Sequence, residues 1–456
     1  MEKKITNICF IDNGFKTSFY QEVAREINSI TNIFWIVVTL EKYNELVSIY
    51  SKENVLLINN EINESKELVE LKYFEIIRND RHFKFNENDS LIYLKSIQEP
   101  VFNFIKKNSI SHVFGELTHG YELVIYLLIK IKFRGHCRYL NPHTIRIPDN
   151  RFAFFSDLKQ SKFYSNKHNK KYDEVFIKSL FSIKKPDYFY RNNLKIKEQK
   201  RILTRLARIK RFFTSENIQK DNPRMIKIKN IVDRIRRPIT EEINRFAYNF
   251  IKTNSMNDLK GKEYFYYPLH KQPEASIDVL GVYYNNQLEL VKSIVQLLPI
   301  NHFLVVKEHP NAIGDRGFRF YRNLKNDPRI IFVNEKCDSH EIIKYSDVVF
   351  TVSGTVAYEA ALMGVESFTF SETFFNKLKH CHKVSYEDFR NHYNFNHFLK
   401  KFKKMNENKM NIYEFGNYIL NNSFNGNISD PVTNYDSISK DNIENVSKAF
   451  LEIIHD

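Results

Sequence analysis

Twice along this chain, short β-rich runs alternate with helical patterns, and no other property of the sequence narrows its fold so far. The first series has strand-like runs at 5–11, 33–39, 55–58, 112–114 and 137–140, interleaved with helical spacing at 17–30, 90–107 and 121–132. The second has strand-like runs at 264–267, 303–306, 330–333, 348–352 and 367–370, interleaved with helical spacing at 287–298, 318–324, 339–345 and 355–363. Strands separated by helices form parallel, doubly wound sheets. Two such sheets are therefore expected. A further helical pattern at 437–454 has a face that can pack on either of them.

Between the two series the composition changes. No glycine lies between Gly135 and Gly261, although the chain has 12. The 43 residues from Lys195 to Arg237 hold 15 basic and 4 acidic side chains, which places +11 of the formal +15 in this block. Ile202, Leu206, Ile209 and Phe213 form one apolar helical stripe with Arg201, Arg205, Arg208 and Lys210 off it. A second pattern, Ile228, Ile231 or Val232, and Ile235, is expected to end at Pro238. The predicted division is 1–156 for an N-terminal Rossmann-like domain, 157–257 for a helical basic insertion, 258–435 for a second Rossmann-like domain and 436–456 for a terminal helix.

Several classes are disfavoured. Cys9, Cys137, Cys337 and Cys381 are scattered without a C-x-x-C pair, so neither a disulfide framework nor structural zinc is expected. The N-terminus lacks the apolar stretch and cleavage site of a signal peptide, and the longest apolar run, 123–129, is far short of the ~20 residues of a spanning helix. A cytoplasmic protein is expected. Nucleic acid is not an expected partner, because no binding motif is present and everything outside the basic block carries only +4.

In doubly wound sheets ligands bind where strands end, so polar residues just after a strand carry the functional reading. Thr351-Val352-Ser353-Gly354-Thr355 closes a strand and opens a helix, whose free N–H groups and positive end suit a phosphate. An ordinary helix cap reads the same way. Glu359, one turn on, can reach a ribose hydroxyl or simply face solvent. Lys307-Glu308-His309-Pro310 puts His309 at another strand end, where it can stabilise a leaving phosphate. Lys307 and Glu308 alternate faces, so at most one of them should enter the cleft.

These residues carry a resemblance. Tyr267-Pro268-Leu269-His270-Lys271-Gln272-Pro273-Glu274, Lys307 to Pro310, Phe320-Tyr321, Ser353 to Ala360 and Gly364 resemble the bacterial capsule polysaccharide biosynthesis family. Gly115-Glu116-Leu117-Thr118, Asn141-Pro142 and Arg146 to Phe154 are similar to its N-terminal pattern. That family looks like GT-B glycosyltransferases, including β-Kdo transferases, and is similar more distantly to bacterial sialyl- and polysialyltransferases. The 157–256 stretch matches nothing in it.

The resemblance implies a GT-B fold, two Rossmann-like domains facing a cleft, and an inverting transfer from a nucleotide-sugar donor to a glycan or lipid-linked glycan. It implies Lys307, Ser353, Gly354, Thr355 and Glu359 on the donor, with His309 beside its phosphate. Glu116 is the implied base, with helix capping as its alternative role, and His119 is a second candidate. Arg146 and Arg151 are implied contacts to an anionic sugar or acceptor phosphate, or else surface ion-pair residues, and His270 joins the substrate-binding set. No D-x-D sequence occurs, so the expectation is a metal-independent enzyme with no cofactor. The implied donor is a CMP-linked acidic sugar such as CMP-Kdo. A polyol-phosphate transferase, a UDP-sugar transferase or epimerase, and a non-catalytic assembly protein are the alternatives. An anionic membrane surface is the expected partner of Lys195 to Arg237, with a solvated helical insertion as the alternative.

Overall fold

The computed structural model describes residues 6–59, 66–80, 83, 87–164, 169–182, 231–392, 394–432 and 434–455. Most of the basic block, including the stripe from Ile202 to Phe213, lies outside them. The described residues fall into two compact units. One runs to Lys170 and takes in the chain again from Ile419; the other holds the described residues between Lys171 and Tyr418.

The first unit has strands β1 (Thr6–Ile11), β2 (Thr31–Val37), β3 (Val55–Leu57), β4 (His112–Phe114), β5 (Arg138–Thr144) and β6 (Arg151–Phe155). With a late strand, Phe424–Asn425, they form a seven-stranded sheet in the order Phe424–Asn425, β6, β5, β4, β1, β2, β3. β5, β4, β1, β2 and β3 are parallel, while β6 runs antiparallel to β5. The inner strands are apolar along their length because helices cover both faces. Phe10, Trp35 and Phe114 are fully buried. The Lys440–Ile454 helix presents Ile443, Val446, Phe450 and Ile453 on one stripe to this core, with the Phe450 ring 4.7 Å from Phe114 and 4.9 Å from Phe154. The terminal helix therefore packs on the first sheet.

The second unit has β7 (Glu263–Pro268), β8 (His302–Lys307), β9 (Ile330–Val333), β10 (Val348–Thr351), β11 (Glu366–Thr369) and β12 (Cys381–Lys383), ordered β12, β11, β10, β7, β8, β9 and parallel throughout. Phe350 stacks on Phe368 at 5.1 Å, and Phe265, Val306 and Phe332 complete its centre. The late strand, here β13, belongs to the first unit. Both sheets are thus the Rossmann-like α/β sheets that the alternation predicts.

Some expectations change. The helix Ile231–Tyr248 runs through Pro238, where the apolar pattern predicted a stop, and Tyr248 is buried in the second core. Residues 157–164 stay with the first unit, where the Tyr164 amide donates to the Phe154 carbonyl at 2.7 Å. The helix Glu174–Leu180 sits in the second unit, so closely that a Cβ on Gly416 would lie 2.4 Å from Ile177. The described part of 157–257 is accordingly divided between the two units, and the second ends before 435 because β13 pairs with β6. The single helix expected at 90–107 is two, Glu87–Ser96 and Gln98–Lys107, with Pro100 in the first turn of the second, where no amide donor is needed. Among the described residues, no helix is long and apolar enough to cross a membrane.

Candidate functional site

Each sheet has one point where the strand order reverses, between β1 and β4 in the first unit and between β7 and β10 in the second. Crevices at such points are where doubly wound sheets bind ligands. The loops leaving these strands hold most of the residues that the sequence singles out.

In the second unit, His270 follows β7 and reaches the end of β10. Its Nε2 accepts the Val352 amide N–H at 3.2 Å and lies 2.7 Å from Thr351 Oγ1. An amide can only donate, so Nε2 is the bare nitrogen and the neutral ring keeps its proton on Nδ1. Burial, aided by the charges of His309 and Arg316, pushes the His270 pKa down to about 3. The ring is therefore a neutral donor at physiological pH.

His309 follows β8, and its Nδ1 accepts the Asn311 amide at 3.2 Å, which leaves the proton of the neutral ring on Nε2. The ring shows an edge to solvent, yet the surrounding protein desolvates it. That lowers its pKa, with Glu274 opposing and Lys271, Lys307 and Arg316 assisting.

One buried pair sets both histidine loops. Glu308 is fully buried and accepts from Arg316 Nη1 at 2.7 Å, the His309 amide at 2.7 Å and Tyr321 Oη at 2.8 Å. Arg316 Nη2 in turn donates to the His270 carbonyl. Burial raises the Glu308 pKa, and Arg316 acts against that rise. Neither Glu308 nor Lys307 enters a cleft. Lys307 Nζ turns to the helix Ser339–Lys344, donating to the Cys337 carbonyl at 2.6 Å and Ser339 Oγ at 2.7 Å, which removes it from the expected donor set.

The helix Thr355–Leu362 starts at Gly354. A Cβ there would fall 2.7 Å from Thr351 Oγ1 and 3.2 Å from the His270 ring, so the close approach of turn and histidine requires glycine. Gly354 N–H donates to Thr351 Oγ1, whereas the amides of Thr355 and Val356 have no acceptor among the described residues. Ser353 Oγ donates to the Ser276 carbonyl at 2.5 Å, so its hydroxyl proton fixes the loop. Glu359 bonds His340 Nε2 at 3.1 Å and Thr355 Oγ1 at 3.4 Å, which engages both carboxylate oxygens and argues against the ribose role. His270 and the turn at Gly354 come together, and His309 is near enough for its charge to act on His270. Among the described residues, no group of three or more His, Cys, Asp or Glu could hold a metal ion.

The first unit's switch point has different chemistry. Glu116 follows β4 and forms an ion pair with Lys16 Nζ, which comes from the helix Lys16–Ile27 after β1. The Glu116 carbonyl accepts Tyr139 Oη at 2.5 Å, and a Cβ on Gly115 would meet that hydroxyl at 2.5 Å. The carboxylate of the capping box at the helix Gly120–Lys132 is Glu122, not Glu116: Glu122 accepts the amides of Thr118 and His119, and Thr118 Oγ1, each at 2.9 Å. Asn13 Nδ2 adds a fourth donor at 2.7 Å. Burial, with the Glu116 charge alongside, pushes the Glu122 pKa up to about 7, and these hydrogen bonds oppose the rise.

His119 is buried as the cap residue of the same helix and stacks on Tyr121 at 5.4 Å, a structural duty that displaces it as a base. His143, on β5, is held down to about 4 by burial and by Lys16. Arg146 is exposed at the end of β5. Arg151 is elsewhere: its guanidinium donates to Ser423 Oγ, Asn425 Oδ1 and the carbonyls of Leu420 and Ser423, tying β6 to the C-terminal segment. That excludes it from the substrate set. Lys16, Asn13 and Glu122 were missed from sequence. Only the H-x-x-E spacing of a capping box at His119 and Glu122 signalled any of them.

No protein-family model and no curated protein sequence matches the chain. Solved structures do align with it. A β-Kdo 2,7-transferase, KpsC of Thermosulfurimonas dismutans, is 12% identical with a TM-score of 0.40, covering 98% of this chain and 99% of that one. HepE of Anabaena, in complex with UDP and glucose, is 8% identical with a TM-score of 0.30 over 99% of each chain. The UDP-GlcNAc 2-epimerase of Methanocaldococcus jannaschii is 14% identical with a TM-score of 0.27, covering 91% of this chain and 98% of that one.

Proposed function

We propose that this chain is an inverting, metal-independent glycosyltransferase of bacterial surface polysaccharide biosynthesis, taking a nucleotide-activated sugar and a glycan or lipid-linked glycan acceptor. The observation that carries the reading is the set of hydrogen-bond donors at the β7/β10 switch point and at the end of the neighbouring β8. Two histidines and two unpartnered amides at a helix start suit a phosphate whose charge grows as the sugar departs. The sequence resemblance to capsule transferases supports the same assignment and favours a CMP-linked acidic sugar such as CMP-Kdo.

In this reading the second unit holds the donor and the first the acceptor. Glu116 removes the proton from the acceptor hydroxyl, whose oxygen forms the new bond to the anomeric carbon. The bond to the phosphate oxygen breaks with its electron pair. His309, His270 and the amides of Thr355 and Val356 meet that charge, with Gly354 giving them room. Lys16 fixes the Glu116 carboxylate, and Arg146 serves an anionic acceptor group. The basic block from Lys195 to Arg237 draws the enzyme to an anionic membrane where a lipid-linked acceptor resides.

Purified protein offered CMP-sugars, UDP-sugars and CDP-glycerol tests the assignment. Acceptor-dependent release of CMP from a CMP-sugar is the expected result. Turnover of CDP-glycerol alone would make it a polyol-phosphate transferase, and turnover of UDP-sugars alone a UDP-sugar transferase or epimerase.

A further inference from the structure

Over residues 239–246 the helix Ile231–Tyr248 turns its apolar side outward. Glu241, Asn244 and Tyr248 form its docked face. Asn244 Nδ2 donates to the Gly314 carbonyl at 3.1 Å, and the Glu241 carbonyl lies 2.7 Å from where a Gly314 Cβ would stand. Tyr248 packs on Tyr321 at 5.1 Å between ring centroids. Ile239, Ile243 and Phe246 fall within roughly 60° of one another on the opposite side, at 100° per residue. They are 52%, 62% and 67% exposed, and Phe250, packed on Phe246 at 5.1 Å, is 70% exposed.

A domain with ample core of its own does not ordinarily leave four large apolar side chains contiguous along one helix and the turn that follows it. In the sequence, Val232 and Ile235 continue the same spacing toward the amino end.

We infer that this stripe is a membrane-inserting face, with anionic lipid as its ligand. The inference extends the lipid-directed part of the proposed function. Charge selects the occupant. Arg234, Arg236 and Arg237 precede the stripe in the sequence, at the end of the block that holds +11, and Glu242 alongside it is paired with Arg245 at 3.6 Å. Such charge repels a second copy of this chain and attracts an anionic surface. Isoleucine and phenylalanine on one face beside arginine are the composition of helices that lie in the headgroup boundary. Basic residues supply the attraction at a distance, and the stripe supplies the apolar burial on contact.

The test is flotation of the full chain with vesicles of phosphatidylcholine plus phosphatidylglycerol, and of phosphatidylcholine alone. Wild-type protein should float with the anionic vesicles and not with the neutral ones. The double variant Phe246→Ser, Phe250→Ser should lose about tenfold or more in partitioning, because two rings no longer enter the boundary. A Phe250→Trp variant gives a readout that needs no loss of binding: its fluorescence should shift to the blue with anionic vesicles, against a constant background from the fully buried Trp35.

Unchanged flotation of the double variant, or no blue shift, overturns the inference. So does a wild-type dimer that the double variant converts to monomer, since the stripe would then join two copies. Transfer to a water-soluble acceptor is assayed in parallel. Vesicle binding without transfer breaks the catalytic reading and leaves this one standing.

Discussion

The two switch points occupy equivalent places in two similar sheets and carry opposite chemistry. At β1/β4 a carboxylate pair, Glu116 and Glu122, is gathered with one ammonium, Lys16. At β7/β10 the polar groups are donors, namely His270, His309 and the helix amides, held by a carboxylate turned into the core. In the proposed function, the same fold point serves proton removal in one unit and charge stabilisation in the other. The fold brings polar side chains to strand ends in both units, and the residue types there set the different chemistry of each.

The largest expected effect breaks that comparison on the acidic side. Glu116→Gln should lower acceptor-dependent transfer by about 10²- to 10⁴-fold, the usual contribution of a general base. Nucleotide binding, followed by thermal shift with CMP, should not change. On the donor side His270→Ala should weaken both, because it removes a hydrogen-bond donor and the group that holds the Val352 turn. If Glu116→Gln and His270→Ala produce the same profile, the division of labour is wrong.

Next in size is the buried pair that places both histidines. Glu308→Ala leaves Arg316 buried without its carboxylate, which costs about 3 to 5 kcal/mol and should lower Tm accordingly. A variant as stable as wild type would show that the histidine loops are held otherwise.

How much of this was legible in the sequence follows from the kind of signal involved. Strand alternation is a local pattern, so ten strand positions and the glycine at the β10 turn could be read directly. β6, β12 and β13 were not, because they stand outside the strand–helix alternation: β6 and β13 are antiparallel additions to the first sheet, and β12 follows a single short turn of helix, Phe374–Lys377. His309 and Glu116 were legible as residues after strands. Lys16 was not, because its pairing with Glu116 spans 100 residues and depends on which strand is central. Lys307 misled for a related reason. A lysine at a strand end looks free until the neighbouring loop supplies its acceptors.

The acidic site also makes a pH prediction. A carboxyl whose pKa rises on folding, as for Glu122 to about 7, favours the folded state while protonated. Its contribution is complete below the unfolded value near 4.5 and is lost as pH climbs through 7. Denaturant titrations should show stability falling between pH 5 and 7.5 in wild type by up to about 3 kcal/mol from this group. Glu122→Gln, with Asn13 able to turn its amide, should flatten that interval. A wild-type curve already flat there would mean that the four hydrogen bonds outweigh burial.

The smallest effects come from two arginines that looked alike in the sequence, five residues apart in one motif. Arg151 makes four hydrogen bonds to the C-terminal segment, so Arg151→Ala should cost about 1 to 3 kcal/mol of stability and leave the acceptor KM unchanged. Arg146 is exposed at the end of β5, two residues beyond the last residue of the strand that carries His143. Arg146→Ala should cost less stability than Arg151→Ala and raise KM for an anionic acceptor severalfold. The pair separates anchoring from recognition within one hairpin. Were the two results exchanged, the acceptor would lie toward β6, and the acidic switch point would no longer be where its hydroxyl is activated.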